Sequence, residues 1–152
     1  MQMLTAPPLG VAAHLLASAR AEHPFADAAL SMLDARDVAA VGAAILVSDD
    51  PEAQHGSRTY ELTGPAAATL AGDLADALRA VRPRPVRVAA CGSTAFVVGA
   101  GIPEAAAARL AGFLDVLAGC SDVSDHVEAI TGRPPRSLAD FVRDDTRPWL
   151  PR

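Results

Sequence analysis

Apolar residues at helical spacing run through Val11, His14, Leu15, Leu16 and Ala19, and Pro7-Pro8 ahead of them ends any extended entry, so a first helix is predicted over about 11–21. A short segment, 28–33, leads into Asp34-Ala35-Arg36-Asp37, where Asp34 can cap a helix and Asp37 can reach back as in a capping box; the second helix follows over 38–47. After a polar turn through Asp49, Asp50, Pro51, Gln54, His55 and Gly56, the run Arg58-Thr59-Tyr60-Glu61-Leu62 alternates as a half-buried strand should, and Gly64-Pro65 closes it. Pro65 suits a first helical position, and Ala68, Leu70, Ala71, Leu74, Ala75 and Leu78 give one apolar face to a third helix over about 65–80. Arg82-Pro83-Arg84-Pro85 breaks that helix. Val86 to Ala90 reads as a second short strand, 93–100 stays open between strand and helix end, and Pro103 opens a fourth helix to about Leu117. Val123, Val127 and Ile130 mark a short helix ending at Gly132, and Ser137 with Asp140 forms a second capping-box pattern ahead of Phe141 and Val142.

These elements predict a helix-rich α/β chain of about five to six helices and two to three short strands. A length of 152 residues suits a single domain over 1–152 with a core of its own. Cys91 and Cys120 lie far apart without C-x-x-C spacing, so buried reduced thiols are expected rather than a zinc site or a redox pair. No signal-peptide pattern opens the chain and no run of about 18 apolar residues interrupts it, so a cytoplasmic location away from membranes is expected. The net charge is −5, and the basic residues are all arginines spread along the chain, which argues against a nucleic-acid partner. With no lysine there is no Schiff-base amine, no P-loop lysine and no Tyr-x-x-x-Lys dehydrogenase pair.

Phe96-Val97-Val98-Gly99-Ala100-Gly101-Ile102-Pro103-Glu104, followed by an alanine-rich helix, invites reading as a dinucleotide fingerprint. The place of the third glycine is taken by Glu104, whose carboxylate would sit where the pyrophosphate charge needs to go. No second parallel strand ending in an acidic ribose ligand follows, so no nucleotide cofactor is expected on this chain.

Two stretches carry a family resemblance: Tyr60-Glu61-Leu62-Thr63-Gly64-Pro65, and the more specific Ile130-Thr131-Gly132-Arg133-Pro134-Pro135-Arg136-Ser137-Leu138-Ala139-Asp140-Phe141. In this order and separation they resemble the C-terminal half of NmrA-like proteins, an atypical short-chain dehydrogenase/reductase group that includes quinone and azo reductases. Asp34-Ala35-Arg36-Asp37-Val38-Ala39 is similar to that family's strand-to-helix segment, and Met1-Gln2-Met3-Leu4 to the segment after its central strands. The resemblance implies an upstream Rossmann portion with a glycine-rich cofactor loop, which this sequence lacks. It also implies a helical cap that lines the substrate cleft. Strand 58–62, with segment 28–33, would lose its sheet neighbours in such a truncated chain, leaving an edge to be covered by a second copy or by a separate Rossmann-type chain, unless the product is a partly folded fragment.

For catalysis the candidates are His14, on the apolar face of the first helix, and Asp34; a core histidine and a helix cap explain them equally well. Met3, His14, Phe25, Tyr60, Phe96 and Phe113 are the candidate ligand-lining residues, and core packing is the alternative for each. His23, His55 and His126 are scattered singly without ligand spacing, so no metal site is expected. The leading expectation is a cofactor-free domain, similar to the substrate-binding half of NmrA-like NAD(P)-dependent oxidoreductases, that binds a small apolar or aromatic molecule and forms a homodimer. The alternatives are a non-redox cyclase, isomerase or dehydratase using His14 or Asp34, and a subunit that docks on a separate Rossmann chain.

Overall fold

The computed structural model describes residues 18–144 together with Met1, Ala12, Leu15, Thr146 and Trp149. Within the predicted first helix, Ala12, Leu15 and Ser18 are helical, but Arg20 already belongs to a strand, so the helix does not reach residue 21. Met3 and His14 lie outside the described residues.

Strand β1 (Arg20–His23) alternates outward and inward, with Ala21 and His23 on the buried side. It pairs in parallel with β2 (Arg87–Ala90), in a register that runs from Arg20 beside Arg87 to His23 beside Ala90. A parallel pair needs a long crossover, and here it holds α1 (Ala35–Leu46), α2 (Pro51–His55) and α3 (Ala75–Arg79). After β2 come α4 (Ser93–Gly99), α5 (Glu104–Leu117), α6 (His126–Thr131) and α7 (Leu138–Asp144). The chain is therefore α/β and helix-rich, with two strands and seven α-helices among the described residues.

The core gathers on the inner side of the small sheet. Leu70, Leu74, Leu78 and Ala75 from the α3 region meet Val86, Val88 of β2, Val97 of α4, Leu114 of α5, and Phe141, Val142 and Trp149 at the C-terminal end. α4 and α5 pack on each other, while α1 packs on α6, each burying one valine, Val41 and Val127.

Further predicted elements also differ from what forms. The third helix starts at Leu70 rather than Pro65, because Thr69 is the cap: its hydroxyl accepts the Gly72 N–H at 3.2 Å. The first turn is widened, with the Leu74 N–H donating to the Thr69 carbonyl five residues back at 3.1 Å. The wider turn moves the reciprocal acceptor one position on, so Asp73 takes the Thr69 N–H at 2.7 Å and its hydroxyl at 2.9 Å. Those bonds hold the Asp73 carboxyl below its ordinary pKa.

The second correction concerns 58–62, which forms no strand. A strand exists only with a neighbour, and among the described residues Thr59 to Ala67 make no backbone–backbone hydrogen bond. Side chains hold the segment instead. The Glu61 carbonyl accepts from the Ser124 hydroxyl and, at 2.8 Å, from His126 Nδ1, and the buried Thr63 hydroxyl accepts the Ser124 N–H at 2.9 Å. Segment 28–33 likewise reduces to one antiparallel bridge, Leu30 to Ala68.

Candidate functional site

A cavity of about 350 Å³ opens between the end of β1, the strip 30–33, α4 and α5, lined by Met1, His23, Phe25, Phe96, Leu114 and Cys120 among others. Its position follows from the fold: β1 delivers His23 at its last inward position, the turn after it brings Phe25 back, and α4 and α5 present Phe96 and Leu114. The His23 ring meets both phenylalanines edge-on, at centroid distances of 5.1 Å to Phe25 and 4.7 Å to Phe96. The Phe25 N–H donates to His23 Nδ1 at 3.1 Å, so Nδ1 carries the lone pair and the imidazole is the Nε2–H tautomer. On the far wall the Ser31 N–H and hydroxyl both donate to the Cys120 carbonyl, at 3.0 and 3.2 Å, pinning strip 30–33 to the end of α5. The chemistry on offer is that of a small, largely apolar chamber with one buried imidazole.

Of the candidate lining residues, Phe25 and Phe96 are thus brought together. Phe113 is 57% exposed on α5 and is not among the cavity residues. Tyr60 stands elsewhere, with its hydroxyl 2.8 Å from His55 Nδ1 and its ring edge-on to His55 and His126. Tyr60 therefore forms one cluster with nearby His55 and with His126, distant in sequence, for which spacing alone held no signal. His23 was missed as a lining residue because only the parallel pairing of β1 aims it inward.

Asp34 is fully buried and has a structural task. Its carboxylate caps α1 through the Arg36 N–H at 2.8 Å and is gripped by the Arg36 guanidinium at 2.6 Å, while Arg36 also reaches Asp144 at 2.9 Å. Hydrogen bonding to Asp34, first of all, pushes the Arg36 pKa up. Asp37 does not close a capping box on α1, which corrects the expectation: its buried carboxylate takes the Arg136 N–H at 2.8 Å and the Arg136 guanidinium. Next to this anchor, Gly64 comes so close to the strip that a Cβ there would lie 2.2 Å from the Met32 carbonyl oxygen.

The Gly99-Ala100-Gly101 turn joins two helices, with Gly101 at φ 84° and Pro103 starting α5. The strand that a dinucleotide fingerprint requires ahead of its glycines is a helix here, and Glu104 holds the first turn of the next one, so the turn does not fit a pyrophosphate. No helix among the described residues is long and apolar enough to cross a membrane.

No protein-family model matches the sequence. The NAD(P)H azoreductase of Xenophilus azovorans is 35% identical over 128 residues, an overlap of 79% of this chain and 42% of that protein. An NADPH-dependent quinone oxidoreductase of Escherichia coli has the same fold over 88% of this chain and 49% of its own, with a TM-score of 0.70 and 26% identity. Both of these similar proteins are NAD(P)H- or NADPH-dependent reductases. A Citrobacter sp. triphenylmethane reductase, solved with NADP(H), shares the fold at TM-score 0.68 and 20% identity, over 90% of this chain and 48% of that one. The chain spans about half the length of the relatives it matches.

Proposed function

We propose that this chain is the substrate-side domain of a reductase of this kind, holding a small apolar or aromatic molecule in the chamber lined by His23, Phe25, Phe96 and Leu114. The observation that carries the reading is the chamber itself, an aromatic-walled space of about 350 Å³ in a chain similar to quinone and azo reductases. In this reading the phenylalanine edges and the His23 ring orient a planar ligand and exclude water, and the nicotinamide chemistry of the relatives is not performed by this chain alone. The test is a thermal-shift and calorimetric titration with 1,4-naphthoquinone and NADPH. Stabilisation by the quinone, growing with its concentration and lost in Phe96→Ala, is expected, with no response to NADPH. Tight NADPH binding, or an unchanged quinone response in Phe96→Ala, would overturn the reading.

The lack of backbone–backbone hydrogen bonds from Thr59 to Ala67 among the described residues favours a second reading, in which a separate Rossmann-type chain or a second copy docks along this segment. A folded monomer at high concentration in sedimentation, unaltered by a nucleotide-binding partner chain, would remove it.

A further inference from the structure

The outer face of the small sheet is open, although parallel sheets are ordinarily covered on both faces. Ala21, His23 and Val88 turn toward the core, and Arg20, Glu22, Arg87 and Ala89 turn away from it. On the outer face the register sets Arg20 directly beside Arg87. Like charges opposed across neighbouring strands repel, and among the described residues neither guanidinium has a carboxylate within ion-pair reach. The two arginines stand at one end of a cleft of about 610 Å³ whose wall is made by Ala95, Phe96 and Gly99 of α4. Small residues keep that wall open; a Cβ at Gly99 would meet nothing within 4 Å. One outward position further along the strands Glu22 stands beside Ala89, and Cys91 follows the end of β2. Burial and the nearby Glu22 carboxylate push the Cys91 thiol up, so it stays protonated and adds no charge.

We infer that this cleft binds an aromatic monoanion, a carboxylate or sulfonate on a fused-ring body, with its oxyanion between Arg20 and Arg87 and its rings against Ala89, Ala95 and Gly99. Two guanidinium forks side by side match an oxyanion's several acceptors, and the anion relieves their mutual repulsion. Glu22, beside Ala89, opposes a second negative group on the rings, which selects for a monoanion. The Phe96 ring lines both this cleft and the apolar chamber, so neighbouring sites are offered to a charged and an uncharged ligand.

The test titrates the full chain with naphthalene-2-sulfonate at constant ionic strength, followed by calorimetry. Saturable one-to-one binding is expected, weakened on the order of tenfold in Arg20→Gln and in Arg87→Gln. Gly99→Leu, which fills the wall, should abolish it, and naphthalene-2,6-disulfonate should bind more weakly until Glu22→Gln restores it. Without ligand, Arg87→Gln should melt no lower than the parent, because it removes a repulsion. Equal binding by the arginine variants, equal binding of uncharged 2-naphthalenemethanol, or a lower melting temperature for ligand-free Arg87→Gln would overturn the proposal. The naphthoquinone response of the chamber should survive Arg87→Gln, so failure of either site is read separately.

Discussion

Asp34-Ala35-Arg36-Asp37 at the start of α1 and Ser137-Leu138-Ala139-Asp140 at the start of α7 carry the same capping spacing, yet their second aspartates do different work. At α7 the box closes on itself: the Ser137 hydroxyl accepts the Asp140 N–H at 3.1 Å, and Asp140 takes the Ser137 N–H at 3.0 Å and its hydroxyl at 2.7 Å. At α1 the second carboxylate turns away from its own helix to the Arg136 backbone and guanidinium, 99 residues along the chain. A buried carboxylate gains more from a charged, two-point partner than from one backbone N–H. Burial therefore decides between a local and a long-range use of the same signal, and the long-range use clamps α1 to the segment ahead of α7. Because Leu33 immediately precedes Asp34, that clamp also positions the 30–33 wall of the chamber.

Asp37→Ala should cost the most, about 3 kcal/mol, because it strands Arg136 at a mostly buried site. Urea unfolding measures it, and a double-mutant cycle with Arg136→Ala should return a coupling of about 1 kcal/mol or more. Asp34→Ala should cost about 2 kcal/mol, combining a lost cap with an ion pair whose arginine is partly exposed. It should also weaken the naphthoquinone response of the chamber, since strip 30–33 loses its anchor. Asp140→Ala removes a cap at the surface and should cost only about 1 kcal/mol. If the Asp140 and Asp37 variants lose equal stability, burial is not what separates the two helix starts.

The smallest expected effect is in acid. Hydrogen bonds from the Ser137 hydroxyl and N–H, followed by the Arg143 guanidinium, lower the Asp140 carboxyl to about 2 from an ordinary 3.8. The folded state therefore binds this proton less readily than the unfolded chain. Its contribution is complete above about pH 4 and is lost as the pH falls toward 2. Asp140→Asn should flatten part of that acid limb in unfolding titrations, leaving the share due to Asp73, which is shifted in the same direction. An identical acid limb in parent and variant would remove Asp140 from the account.

Elements with chemistry at their own ends were legible from the chain. Pro103 starts α5, Gly132 ends α6 at φ 72°, and Ser137 starts α7, as their residue types predict. The third helix was legible in its Leu70, Leu74 and Leu78 stripe, but not in its start, because Thr69-to-Asp73 capping works through a widened turn that no standard spacing describes. The misreadings fall where an element depends on a neighbour. Arg58 to Leu62 alternates correctly for a strand and finds no strand neighbour among the described residues, while Arg20 to His23 becomes one only because Arg87 to Ala90 lies alongside. At the candidate site, aromatic type put Phe25 and Phe96 among the candidates, and both stand on the chamber wall. The inward aim of His23, the outward turn of Phe113 and the meeting of Tyr60 with His55 and His126 depend on packing.

By itself, then, the sequence determined the helix-rich α/β class, the caps, the apolar stripes and the misfit of the glycine turn for a pyrophosphate. All of these follow from residue types acting within a turn or two of themselves. Only the tertiary structure decided which aspartate would reach across the chain, which run would become a strand, and that one face of the sheet would close over an aromatic chamber while the other sets two arginines side by side. Each of those outcomes depends on a partner distant in sequence, and the interaction exists only once both are brought together.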